Sequence, residues 1–385
     1  MVGLAAKSSP GLEGVVVGET KITHVGGEEG TLHFRGYDAS ELSEQISYEE
    51  VVHLLQKGEL PTVSELQELK AAWYPLRPLP PELEQLVGKI PKGSLPMEAL
   101  RSGISLMGAG LKAFPPRDLD MLPFIARAPT WLAMWYRASR GLPSVPPDTT
   151  LGHVSSYLYM LEGRLPDPDL ARALEEYFVL LSDHGMNAST FAARVVLSTQ
   201  SDPASAMSAA VGALKGPLHG GAPSLVLDML DAVGVPGNAE RWIAEAVARK
   251  ERLMGFGHRV YRTEDPRAKR LKQIAQRYAR AERFTLAEAV EKAGLEALRK
   301  ARPNQPLYTN VEFYAGVVLE AVGIPRELFS ATFGIARTAG WAAQLLEQAG
   351  NNRIIRPDAS YTGPEPRPVP IRSVAPPAAA VPRSA

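Results

Sequence analysis

Along most of the chain, apolar residues recur every three or four positions, the period of helices with one buried face. The pattern predicts helices over 49–57, 63–73, 81–87, 97–107, 119–137 and 168–181, jointed at Pro61, Pro75 and Pro80-Pro81. It continues over 188–198, 204–214, 223–233, 239–254, 266–280, 286–300, 311–322 and 326–349. The start differs. Between Val15 and Phe34, β-branched pieces (Val15-Val16-Val17, Ile22-Thr23, Thr31-Leu32) are separated by Gly18-Glu19 and Gly26-Gly27, which predicts a small hairpin region. The regular strand–helix alternation of a parallel sheet is absent, so the predicted fold class is all-α. Residues 1–10 read as a loose tail. Residues 364–385 carry seven prolines among Ala, Val and Arg, too little apolar surface to order themselves, and read as a disordered tail.

Composition narrows the partners. With 45% hydrophobic and 22% charged residues, the 385-residue chain has ample material for a globular core. Lys plus Arg equals Asp plus Glu at 42 each, so bulk charge draws the protein towards neither nucleic acid nor membrane, and an anionic ligand must be held by local arginines. Cysteine is absent, which excludes disulfides and thiolate catalysis and fits a reducing cytoplasm. No apolar run approaches a membrane span and Met1–Pro10 lacks a signal-peptide core, so a soluble, cytoplasmic protein is expected.

Four polar constellations sit at predicted helix ends. In Lys215-Gly216-Pro217-Leu218-His219-Gly220-Gly221-Ala222-Pro223, a histidine precedes a helix that Pro223 is suited to open. Unpaired N–H groups at a helix start disfavour imidazolium, and a neutral imidazole can donate to a carbonyl oxygen becoming an enol. Alone, His219 reads equally as a packed histidine in a helix connection. Ser182-Asp183-His184-Gly185-Met186-Asn187-Ala188-Ser189-Thr190 inserts a dense polar group between two apolar helices, at once a capping cluster and a candidate site. In the segment from Met254 to Arg267, Asp265 is a good N-cap and Pro266 a good first residue, which puts Arg267 in the first helical turn. Arg267 and the backbone N–H groups there could converge on an anion, while Gly255 and Gly257 allow close backbone approach. The third glycine of a dinucleotide fingerprint is missing, with Val260 in its place. Asn310 reads as the cap that places Glu312 in a first turn. Finally, Arg337 is the single charge between Ala331 and Leu346, so it is expected to be buried against an anion, and Arg353 and Arg356 follow in an extended segment.

In order, DHGMNAST, GPLHGGAP, GFGHRVYRTEDPR, NVEFYAG, FGIARTAGWAAQ and NRIIRPDASYTG closely resemble the citrate synthase family, over about residues 11–363. The resemblance implies an all-α homodimer with a large domain (11–220 and 317–363) and a small domain (221–316) that closes over the substrates, oxaloacetate or a close 2-oxo acid and an acyl-CoA thioester. It implies no metal or redox cofactor, coenzyme A thioester being a substrate. By the same resemblance, His219 stabilises the enol, Glu312 removes the methyl proton and His258 polarises the keto group. His184, Arg267, Arg337 and Arg356, the last from the partner subunit, hold the carboxylates of the oxo acid. The loop with Gly255, Gly257 and Arg262 is similar to the segment that contacts coenzyme A.

One position departs from the family, which has Asp where this chain has Glu312. The group is the same but one methylene longer, and a misplacement of about 1 Å costs on the order of 100-fold in rate. The expected activity is citrate synthase, the first step of the tricarboxylic acid cycle. The alternatives are 2-methylcitrate synthase, using propionyl-CoA, and a weakly catalytic paralogue that binds oxaloacetate or CoA.

Overall fold

The computed structural model describes residues 9–110, 114–220, 223–304 and 307–369. They fall into two units, one of Met1–Gly18 with Arg356–Ala385 and one of Glu19–Ile355. In the first, a short 3-10 turn at Pro10–Leu12 precedes exposed chain, and residues 364–369 are exposed throughout. The rest of both predicted tails, 1–8 and 370–385, lies outside the described residues.

The Glu19–Ile355 unit opens with an antiparallel sheet, β1 (Thr23–Gly26), β2 (Thr31–Phe34) and β3 (Tyr37–Asp38), in which Thr23 pairs with Phe34. Leu32 and Phe34 point into the core from alternate positions of β2. The predicted strand at Val15-Val16-Val17 is not formed. Those residues belong to the terminal unit and are exposed, Val16 at 87%: three like residues in a row offer no buried face to pair.

Helices follow: α1 (Ala39–Gln45), α2 (Tyr48–Lys57), α3 (Val63–Trp73), α4 (Pro81–Val87), α5 (Pro96–Met107), α6 (Asp118–Ser139), α7 (His153–Glu162) and α8 (Pro168–Leu181). Then come α9 (Ala188–Ser198), α10 (Pro203–Leu214), α11 (Pro223–Val233), α12 (Ala239–Ala248), α13 (Pro266–Tyr278), α14 (Ala281–Ala301), α15 (Val311–Ala321) and α16 (Phe329–Gly350). Starts are fixed by side-chain caps: Asp38 accepts from Ser40 and Glu41, and Ser47 and Thr62 form capping boxes with Glu50 and Glu65. α12 stops at Ala248, six residues before its predicted end, where Lys250 turns to a positive φ of 58°. Among the described residues no helix is long and apolar enough to cross a membrane.

α16 is the axis. From Phe329 to Leu345 nearly every residue is buried, and the helix packs on α2, α6, α8, α9 and α10. Further along the chain, α13 packs on α15 and α8, α11 on α15, and α12 on α14. The loops at the ends of α8, α10, α12 and α14 carry the candidate chemistry.

Candidate functional site

The turn between α8 and α9 is held by Asp183, which is fully buried. Its Oδ2 accepts from the Thr23 hydroxyl at 2.6 Å, the Gly185 N–H at 3.0 Å and Gln344 Nε2 at 3.1 Å, whereas Oδ1 has no hydrogen-bond partner. Burial pushes its carboxyl above the ordinary range, with Arg337 opposing. α16 comes so close that the Gly340 N–H donates to Ser182 O at 3.0 Å, and a Cβ on Gly340 would lie 2.3 Å from that oxygen. Gly340→Ala is therefore expected to destabilise the fold by about 3 kcal/mol through backbone displacement, read as a lowered denaturation midpoint.

The turn presents His184, 8% exposed, whose Nε2 lies 3.2 Å from the Tyr261 hydroxyl. Burial first, then the guanidinium groups of Arg267 and Arg337, push its pKa well below the ordinary value, so the ring is neutral.

His219 sits half-buried in the turn after α10. Its Nε2 accepts the Ser189 backbone N–H at 3.2 Å and lies 3.0 Å from the Ser189 hydroxyl. A backbone N–H can only donate, so Nε2 is the acceptor and the proton rests on Nδ1. Burial, then Arg337, lowers the pKa of His219 to about 4. The N–H that meets this imidazole belongs to the first turn of α9, capped by Asn187, rather than to the helix that follows in sequence. The Ser189 hydroxyl is itself fixed, donating to Asn187 Oδ1 at 2.7 Å and accepting from Trp341 Nε1 at 3.2 Å.

His258 mirrors this arrangement. Its Nδ1 accepts the N–H groups of Val260 at 3.0 Å and Tyr261 at 3.1 Å, which leaves the proton on Nε2. Burial, followed by Arg267, lowers its pKa to about 4. Arg267 does start α13, but it is buried against its own cap: Nε and Nη2 meet Asp265 at 3.0 and 2.7 Å, and Nη2 lies 3.5 Å from His258 Nε2. Gly255 and Gly257 take positive φ values of 82° and 86°. A Cβ on Gly255 would approach Phe313 to 2.7 Å, so this glycine lets the loop pack on α15. Arg262 is exposed and lines, with His258, Tyr261, Asp265 and Tyr308, a cavity of about 220 Å³.

Asn310 caps α15 by accepting the Glu312 N–H at 3.0 Å, while its N–H donates to Gly255 O and its Nδ2 to Gly257 O, each at 2.9 Å. The loop bearing His258 is thereby tied to the helix start bearing Glu312. Among the described residues the Glu312 carboxyl makes no hydrogen bond, and burial pushes its pKa up to about 7 against the nearby Arg252 and Arg267. From α16, Arg337 is 1% exposed: Nε donates to Leu181 O at 2.8 Å, Cζ lies 4.9 Å from the Phe333 ring centre, and Nη2 has no partner. Burial lowers its pKa to about 10, and Asp183 is the charge that opposes this. Arg356 belongs to the terminal unit, where it is exposed and faces Asp358 at 3.3 Å.

The structure thus joins His184 to His258 through ring contact at 5.5 Å, His258 to Arg267, and the His258 loop to Glu312. Arg337 lies within electrostatic reach of His184, His219 and Arg267. Two neutral imidazoles, a carboxyl without a hydrogen bond among the described residues, and buried guanidinium groups are the kinds of group that proton abstraction and the binding of a small polyanion require. No group of three His, Asp or Glu suited to a metal ion occurs among the described residues. Ser189 and Tyr261 are the members that reading the sequence missed.

Comparison decides the family. Residues 11–358 match the family model described as citrate synthase, C-terminal domain. The chain belongs to the citrate synthase family. A citrate synthase of Deinococcus radiodurans is 40% identical over 366 residues, 92% of this chain and 95% of that protein. A 2-methylcitrate synthase of Mycobacterium tuberculosis is 37% identical over 94% of this chain and 92% of its own length. The chain is also similar to the citrate synthase of Thermoplasma acidophilum, solved as a ternary complex with carboxymethyl coenzyme A and oxaloacetate. That similarity has a TM-score of 0.87 at 31% identity, over 95% of this chain and 99% of that one. As a member of the citrate synthase family, the protein is an acyltransferase with the family's helical fold.

Proposed function

We propose that the enzyme condenses acetyl-CoA with oxaloacetate and water to give citrate and CoA, the first step of the tricarboxylic acid cycle, in the cytoplasm. The reading rests on two neutral imidazoles, each with one ring nitrogen filled by backbone N–H groups and the other carrying the proton that can be donated to a substrate oxygen. Glu312 takes the α-proton of the thioester while the Nδ1–H of His219 donates to the thioester oxygen, giving a neutral enol. The enol carbon attacks the keto carbon of oxaloacetate and returns the enol proton to His219, while the new alkoxide takes the Nε2 proton of His258, which is made good by the proton that Glu312 removed. Water then cleaves the thioester and releases CoA.

Arg337, with a buried donor unfilled, holds one carboxylate of the oxo acid together with His184 and Arg267. In this reading Arg356 arrives from the partner subunit of a homodimer. The loop of Gly255, Gly257 and Arg262 receives the CoA, and 221–316 closes as a small domain. Coenzyme A thioester is a substrate, and no metal or redox cofactor takes part.

The relative named 2-methylcitrate synthase supports a second reading, with propionyl-CoA as donor. One methylene in an apolar pocket is worth about 1–3 kcal/mol, so the choice rests on pocket shape. Oxaloacetate-dependent CoA release, measured with acetyl-CoA and with propionyl-CoA, separates the two. Release with neither donor, alongside measurable oxaloacetate binding, would leave only the weakly catalytic paralogue.

A pH profile follows from the same site. Protonated Glu312 is no base, so kcat/KM is expected to rise as pH is raised through about 7. The two imidazoles, with values of about 4, are already neutral across that range. A profile flat from pH 6 to pH 8 would remove Glu312 from the rate-determining proton transfer.

A further inference from the structure

Tyr261 touches both of the histidines that face the oxo acid in the proposed reaction. It is 4% exposed, and its ring centre lies 4.8 Å from that of His258 and 5.7 Å from that of His184. Its backbone N–H reaches His258 Nδ1 at 3.1 Å, and its hydroxyl lies 3.2 Å from His184 Nε2. The Arg267 Cζ lies 5.9 Å from the ring centre, so the aromatic face borders the guanidinium as well.

We propose that Tyr261 is a positioning residue that sets the tautomers of both histidines, donating its hydroxyl proton to His184 Nε2 and its backbone N–H to His258 Nδ1. The proposal rests on the assignment of His184 and His258 to oxaloacetate. The direction of the His184 hydrogen bond follows from what else each group could do. Among the described residues the hydroxyl has no other hydrogen-bond partner. If the imidazole donated instead, Nδ1 would be left as a lone pair towards the oxo acid, whereas with the phenol as donor His184 offers the carboxylate of that acid an N–H. With the phenol as donor, His184 keeps a single proton on Nδ1. His258, filled at Nδ1 by two backbone N–H groups, keeps its proton on Nε2.

One residue thereby gives the site two neutral donors with opposite tautomers, one for a carboxylate and one for the keto oxygen. Neutrality matters here, because Arg267 and Arg337 already supply the positive charge and an imidazolium beside them would be repelled.

The test is a two-bond 1H–15N correlation spectrum of the full-length enzyme labelled at its seven histidines, assigned with His184→Gln and His258→Gln. The expected result is an Nδ1–H tautomer for His184 and an Nε2–H tautomer for His258. In Tyr261→Phe, which keeps the ring and the backbone N–H, His184 becomes a tautomer mixture while His258 is unchanged. The KM for oxaloacetate rises roughly tenfold with kcat changed less than about threefold, the signature of lost ground-state positioning. An Nε2–H tautomer for His184 in the unmodified enzyme overturns the proposal, and that spectrum decides even if Tyr261→Phe does not fold. An unchanged tautomer and KM in a folded Tyr261→Phe overturn it too. Titration with oxaloacetate separates the two levels. Resonances of His184 and His258 that do not respond sink the substrate assignment, whereas the His184 tautomer reports on the Tyr261 hydroxyl.

Discussion

Glu312→Gln is expected to lower kcat by about 10²–10⁴-fold while leaving oxaloacetate affinity within about threefold. The amide has nearly the same shape and keeps its place in the first turn of α15, where the Asn310 cap acts on the backbone N–H and not on the side chain. What is lost is the lone pair that, in the proposed reaction, receives the thioester proton. The carboxyl suits proton transfer because it is buried and unbonded among the described residues. Its pKa of about 7 lies close to the pH at which it must both accept and release a proton. CoA release and calorimetric titration with oxaloacetate read the two quantities separately. Near-normal turnover in the Gln variant would place the base elsewhere. Glu312→Asp is the companion measurement. Activity retained or raised would show that the site accommodates the shorter base, and a large loss would show that the backbone is built around the longer one.

Arg337→Met is expected to weaken oxaloacetate binding by about 10²–10⁴-fold, as two charge-assisted hydrogen bonds of about 1.5–3 kcal/mol each are removed. The fold should tolerate the change. Among the described residues the guanidinium has one hydrogen bond, to Leu181 O, and an unfilled Nη2, so its burial costs desolvation; Asp183 loses an opposing charge, but its carboxyl, already pushed up by burial, can take a proton instead. Asp183 keeps its three donors. Thermal denaturation should therefore shift by only a few degrees; a fall of more than about 10 °C, or several kcal/mol, would assign Arg337 to structure rather than substrate.

The parts of the fold legible in the sequence are those marked by local chemistry. Helices 63–73, 81–87, 168–181, 188–198 and 223–233 have the predicted bounds, because Thr62, Asp167 and Asn187 cap them or a proline opens them. α1 and α7 went unread. α1 has only seven residues, and α7 begins after Gly152, which has no side chain to cap with. The early end of α12 depends on Lys250 adopting a positive φ, which no residue type there announces.

The site divides in the same way. His184, His219, His258, Arg267, Glu312 and Arg337 could be named because their neighbours in sequence carry the signal. The groups that fix their protons could not. Ser189 meets His219 across 30 positions and Tyr261 meets His184 across 77, and contacts at such distances are made only by packing. Nor did the cap pattern reveal that Arg267 would fold back on Asp265, where helix geometry alone suggested an open anion site.

The clasp at Asn310 has a mechanical meaning. It ties the His258 loop to the start of α15, so His258 and Glu312 are positioned by one pair of hydrogen bonds. His219 is held apart from this clasp, in the turn after α10, and Arg337 on α16, while His184 meets Tyr261. In the proposed reaction the base and the keto-polarising imidazole are therefore set against each other before either substrate binds.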